Sequence, residues 1–163
     1  MNGEYLRVTR EELNRAVENP DWALEIADKV RDAQEENEPA PADARHFTTH
    51  RTWDLLSFLL RRAAFPVDIV FGEEPLTEDD WGYGPPRYLT AERVRLAADT
   101  LHRMTYDQLI DGVDPSEPAE AGTYPQIPDS PTSLEWARDL FTPLTSFFGA
   151  AASDDHGMLI WID

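Results

Sequence analysis

The sequence predicts a mixed α/β (α+β) protein, a single helix-rich domain over residues 1–163 packed around a small β-sheet. Three observations predict it. Most apolar residues recur at helical spacing, in several separate segments. Two short runs, Tyr5-Leu6-Arg7-Val8 and Met158-Leu159-Ile160-Trp161-Ile162, read as strands. Threonine stands before three of the helical patterns, at Thr9, Thr90 and Thr105, where its hydroxyl can cap a helix.

In chain order, Tyr5 to Val8 alternates as a short strand, and Thr9 with Glu12 makes a capping box for a helix packing through Leu13, Ala16 and Val17. Asn19-Pro20 is a cap followed by proline at the first helical position. The helix it opens shows Ala23, Ile26, Ala27 and Val30 on one face. Residues 34–44 carry no large apolar side chain and read as a loop. Thr48 or Thr49 then caps a helix that is apolar around most of its circumference (Trp53, Leu55, Leu56, Phe58, Leu59, Leu60), the pattern of a core element. Pro66 ends it, and Val67 to Phe71 reads as either a strand or a closing turn.

An acidic loop over residues 72–80 leads into the bend Gly82-Tyr83-Gly84-Pro85-Pro86 and a strand Arg87-Tyr88-Leu89. Thr90 caps the next helix, with Val94, Ala97, Ala98 and Leu101 inward. Strand, threonine cap and amphipathic helix thus follow one another twice, after Tyr5 and after Tyr88. Thr105 and Gln108 box a short helix ended by Gly112, and Asp114-Pro115 with Glu117 repeats the device. Five prolines from Pro115 to Pro131 predict an extended connection. Thr132 and Glu135 cap the last helix, which Pro143 should kink or split near Leu140. The apolar run at 158–162 predicts a buried central strand.

Composition narrows the function. Thirty-two acids against fourteen bases give a net charge of −18, beyond the ~2–8 that keeps a small domain soluble. Such a surface is repelled by nucleic acid and by anionic lipid. It is either a solvated acidic face or a patch that attracts a basic protein partner. Without cysteine there are no disulfides, no thiolate catalysis and no cysteine zinc site, which suits a reducing compartment. The first residues lack the basic and apolar regions of a signal peptide, and no run reaches membrane-spanning length. The expectation is a cytoplasmic protein with no cofactor.

Five stretches together carry a resemblance: YLRVTREEL from Tyr5, TWDLLSFLL from Thr52, GYGPPRYLTAERV from Gly82, TYPQI from Thr123 and MLIWID from Met158. They resemble the YfbM-like bacterial family, domain of unknown function 1877, in consistent order over nearly the whole chain. GYGPPRYL is the most specific of them. The resemblance implies a small cytosolic bacterial protein with a mixed α/β fold, and it implies no activity.

Candidate chemistry centres on the glycine-proline bend, since a loop with two glycines, two prolines, two tyrosines and an arginine is a difficult corner or a binding surface. Tyr83, Arg87, Tyr88, Tyr124 and His50 form the candidate constellation, with Arg87 either pairing with Asp79 or Asp80 or holding a ligand carboxylate. His46 and His50 have the four-residue separation of a helical metal pair, but a cap at Thr48 or Thr49 would leave His46 outside the helix, and no metal site is expected. His50 reads as a hydrogen-bonded core residue or as a pocket residue. His102 and His156 read as surface residues.

Glu78, Asp79 and Asp80 could pair as acid and base, or form a solvated turn. No GxSxG, Walker or Rossmann pattern is present. The leading expectation is a non-enzymatic binding protein using the acidic surface over residues 73–87, in its most concrete form an immunity-type protein that neutralises a basic toxin. The alternative is a small hydrolase-like enzyme or ligand binder using the Tyr83/Arg87/Tyr88 corner with His50. Catalytic residues, partner and oligomeric state stay open.

Overall fold

In the computed structural model, which describes residues 1–126, 130 and 132–163, one antiparallel sheet takes the order β2-β1-β5-β4-β3. Its strands are β1 (Gly3–Val8), β2 (His46–His50), β3 (Glu74–Pro75), β4 (Arg87–Leu89) and β5 (Gly157–Ile162). Seven helices surround it among the described residues: α1 (Arg10–Glu18), α2 (Pro20–Asn37), α3 (Trp53–Arg62), α4 (Ala91–His102), α5 (Tyr106–Ile110), α6 (Ser116–Glu120) and α7 (Arg138–Ser153). The fold class is mixed α+β.

The terminal strand is the central one, and its near-continuous apolar run follows from burial on both faces. Met158, Ile160 and Ile162 join the larger core under α3, α4 and α7, together with Tyr5 and Leu89. Leu159 and Trp161 join the smaller core with Leu6, Val8, Leu13 and Ala23, under α1 and α2. The period-two pleat assigns alternate residues of one strand to the two layers.

The threonine caps act as their spacing requires. Thr9 and Glu12, like Thr105 and Gln108, complete reciprocal capping boxes, and Thr90 accepts the Arg93 N–H. Asn19 accepts from Trp22 N–H ahead of Pro20.

Elsewhere tertiary contacts override the local pattern. Val17 is exposed rather than packed. The loop expected over residues 34–44 is helical up to Asn37, because the Gln34 amide is held by Arg45 and His46. Thr48 and Thr49 lie in β2, not at a helix cap. Thr49 Oγ1 donates to Gly3 O, and Thr52 occupies the cap position of α3 without a side-chain cap bond. That helix ends at Arg62, before Pro66, and Val67 to Phe71 is a turn gathered on the Asp68 carboxylate.

Residues 116–120 form α6 with Pro118 buried, where an extended connection was expected. Pro118 is the third residue of α6, a first-turn position in which its missing N–H has no helical acceptor to lose. Ile127, Pro128 and Pro131 lie outside the described residues. Thr132 stands at the cap position of a 3-10 turn over Ser133–Ala137, without a side-chain cap bond among the described residues. Pro143 sits inside an unbroken α7, which Phe141, Leu144, Phe147 and Phe148 anchor in the core on both sides of it. The lost hydrogen bond is outweighed there by burial of four large side chains.

Candidate functional site

The glycine-proline bend is a packed corner with an exposed tip. Trp81 N–H donates to Gly84 O (3.0 Å) and Tyr83 N–H to Ile162 O (2.8 Å), which pins the turn to the end of β5. Gly82 and Gly84 have φ of 106° and 91°, a region that side chains disfavour. A Cβ on Gly82 would stand 2.9 Å from both Ile162 O and Asp163 Cα. The Tyr83 side chain is 66 % exposed.

Arg87 pairs with neither Asp79 nor Asp80. Its Nε donates to Gly72 O at 3.2 Å and its Nη2 to Glu73 O, so the guanidinium closes the turn before β3. The Glu73 carboxylate is bound by Arg93 at 2.7 and 2.8 Å. That bond holds its carboxyl below the usual range, against the opposing effect of burial. Asp79 and Asp80 are exposed, and Asp79 N–H donates to Thr77 Oγ1 (3.2 Å).

Arg87 and Tyr88 are adjacent on one strand and therefore face opposite layers, Tyr88 packing on the α1/α2 side. Tyr124 lies across the other layer, stacked on Trp53 with ring centroids 5.8 Å apart, and its N–H donates to Asp54 Oδ2 at 2.7 Å. His50 is on β2, at the sheet edge opposite β3. Two strands separate β2 from β4, which places His50 roughly 14 Å or more from the Arg87 strand. The fold therefore does not bring His50 together with Arg87 and Tyr88 in one site.

What the fold does assemble is a groove along β2. His50 ends that strand exposed, with φ of 50° and its N–H on Thr48 Oγ1, rather than as a core residue. His46 and His50 share the strand, and four residues of strand span ~13 Å, too far for one ion. The groove, of about 630 Å³, runs between β2, the end of α2 and residues 38–44.

Glu4 and His46 lie at its floor, with side chains only 7 % and 10 % exposed. His46 Nε2 is 2.6 Å from Glu4 Oε2, and Thr48 Oγ1 donates to Glu4 Oε1 at 3.2 Å. The pair follows from register: Glu4 opposes Thr48 and Leu6 opposes His46 on antiparallel neighbours, so all four point to one face. Glu35 and Glu38 add charge at the rim. Arg31, the cation in the lining, already bonds Asp28 (2.8 Å) and Asp163 (3.2 Å). Gln34 fills the lower edge of β2, accepting the His46 N–H at 2.7 Å and donating to His46 O at 3.0 Å. It blunts the edge as a pairing strand would.

Sequence reasoning passed over Glu4. The signal was its parity: an acid two and four residues before Leu6 and Val8 points to the same face of a strand as those two core residues.

The other two histidines differ from each other. His102 is exposed, whereas His156 is half-buried and accepts a hydrogen bond from Arg7. No described helix is long and apolar enough to cross a membrane.

Comparison with known proteins places the chain. The sequence pattern described as Domain of unknown function (DUF1877) matches residues 1–161. No curated protein matches the chain. Among solved structures, a protein of unknown function, YfbM from Escherichia coli, matches with a TM-score of 0.66 at 17% sequence identity, covering 98% of each chain. At that identity the likeness establishes the fold alone.

Proposed function

The chain belongs to the DUF1877 family, and from that premise we propose a non-enzymatic interaction protein that holds a basic segment of a partner protein in the β2 groove. One observation carries the reading: Glu4, a nearly buried carboxylate on the groove floor, has an imidazole and a hydroxyl beside it but no arginine or lysine partner among the described residues. A buried charge so placed is stabilised by an incoming ammonium or guanidinium far more than an exposed one is. The net charge of −18 adds long-range attraction for the same partner. In its most concrete form the partner is a basic toxin that the protein neutralises. The working surface thus moves from the glycine-proline bend, where Glu73 and Arg87 are consumed internally, to the opposite edge of the sheet.

An octalysine peptide with a fluorescent label tests this by anisotropy. We expect binding that weakens as salt rises from ~50 to ~200 mM, and an affinity at least ~10-fold lower for Glu4→Gln. Loss of affinity in an Asp79→Asn/Asp80→Asn double variant, with Glu4→Gln unchanged, would return the surface to the bend. Affinity equal in all three proteins would reject a specific groove.

A further inference from the structure

We propose a second site, independent of the β2 groove: a trough on α3 that binds a small monocarboxylate with a hydrocarbon body. Two cavities adjoin this helix, of about 100 Å³ and about 370 Å³. Both are lined by Ser57 and Arg61, four residues and so one turn apart on the same stripe.

Ser57 is only 4 % exposed, yet its hydroxyl makes no hydrogen bond among the described residues. Arg61 is exposed, with its guanidinium 5.6 Å over the Phe71 ring, and it has neither an ion pair nor a side-chain hydrogen bond among the described residues. The other charges in the walls are engaged. Arg62 binds Gly112 O at 2.9 Å and lies 3.3 Å from Glu117. Asp54 accepts the Tyr124 N–H, and Asp68 accepts the N–H groups of Val70 and Phe71.

The groups left free are thus the Ser57 hydroxyl, on a largely buried residue that lines both cavities, and a planar cation, both able to donate. Their common complement is an anionic acceptor, and a carboxylate matches the guanidinium fork. Asp54 and Asp68 in the walls disfavour a dianion such as phosphate, whose second charge would stand among carboxylates. Leu60, Phe65, Val67 and Ile69 line the smaller cavity and receive the hydrocarbon. Its small size, about 100 Å³, limits the ligand to a short chain.

Amide chemical-shift titration of the full chain with hexanoate, hexanamide and inorganic phosphate tests the assignment. Hexanoate should give saturable shifts in α3 and residues 65–70, and hexanamide should bind at least ~10-fold more weakly. Arg61→Gln should weaken hexanoate at least ~10-fold with only a small change in melting temperature, since the exposed side chain has no hydrogen bond or ion pair among the described residues and loses only its contact with the Phe71 ring. Ser57→Ala should weaken it several-fold. Absence of saturable shifts with hexanoate would overturn the proposal, as would unchanged affinity in Arg61→Gln or equal binding of hexanamide. Phosphate binding as tightly as hexanoate would overturn the monocarboxylate assignment. Because Glu4→Gln lies in another layer of the fold, it should leave hexanoate binding unchanged.

Discussion

Arg7, on β1, donates its Nε–H to Nδ1 of His156 at 3.2 Å, tying the first strand to the turn that precedes the last. The same buried guanidinium reaches Ala42 O and Ala44 O from Nη1, and Ala150 O and the Asp154 carboxylate from Nη2. Nδ1 can accept only while the imidazole is neutral and carries its proton on Nε2. Burial first, and then the positive charge of Arg7, hold the His156 pKa below its ordinary value.

Stability should therefore depend on pH through His156. The unfolded histidine protonates near its ordinary pKa of about 6.5, the folded one lower, so between them the unfolded chain binds more protons. The stabilisation is complete above about 6.5 and is lost as pH falls through the folded value. Thermal melts of wild type and His156→Gln between about pH 7.5 and 5 should converge on acidification. Parallel curves would show that the Arg7–His156 bond carries no proton linkage.

The two glycines of the bend should differ in what they tolerate. Gly84→Ala meets no atom within 4 Å and should cost only the strain of positive φ, about 1 kcal/mol. Gly82→Ala adds contacts at 2.9 Å with the Ile162 and Asp163 backbone, which cannot yield as a side-chain tip can. A loss of about 2–3 kcal/mol is expected in urea denaturation. Equal losses would mean that the β5 terminus moves aside.

Glu73→Gln should remove an acid-sensitive contribution. Arg93 holds the Glu73 carboxyl below its ordinary value, so the pair stabilises the fold above about pH 4.3 and the effect is lost as pH falls through the folded value. The variant should lose about 1 kcal/mol at neutral pH and nothing at acidic pH, where wild type has lost the same interaction. A difference independent of pH would assign the effect to packing of the side chain instead.

Gln34→Leu should open the β2 edge. It removes the partner of the Arg45 and His46 amides and of the His46 carbonyl. Hydrogen exchange at those two amides should quicken by at least ~10-fold, with the amides of β5 unaffected. Uniform acceleration across the sheet would indicate global destabilisation rather than a local edge effect.

The strands at 5–8, 87–89 and 158–162, the central place of the last of them and the threonine caps at 9, 90 and 105 could all be read from the chain. Each depends on a local rule: period-two or unbroken apolarity, or a hydroxyl three residues before an amide. The −18 charge likewise belongs to the sequence alone.

Strand order and register, by contrast, are long-range choices. They put Glu4 opposite Thr48 and beside His46, carried His50 to the edge remote from Arg87, and gave Arg87 two carbonyls in place of Asp79 or Asp80. Thr48 and Thr49 satisfy helix-capping chemistry as well as strand chemistry, and only pairing with β1 decides between them. The sequence determined which segments are helix or strand wherever local periodicity sufficed. Which polar groups share a cavity was settled in the tertiary structure, because a buried side chain takes its partners from strands that are distant along the chain.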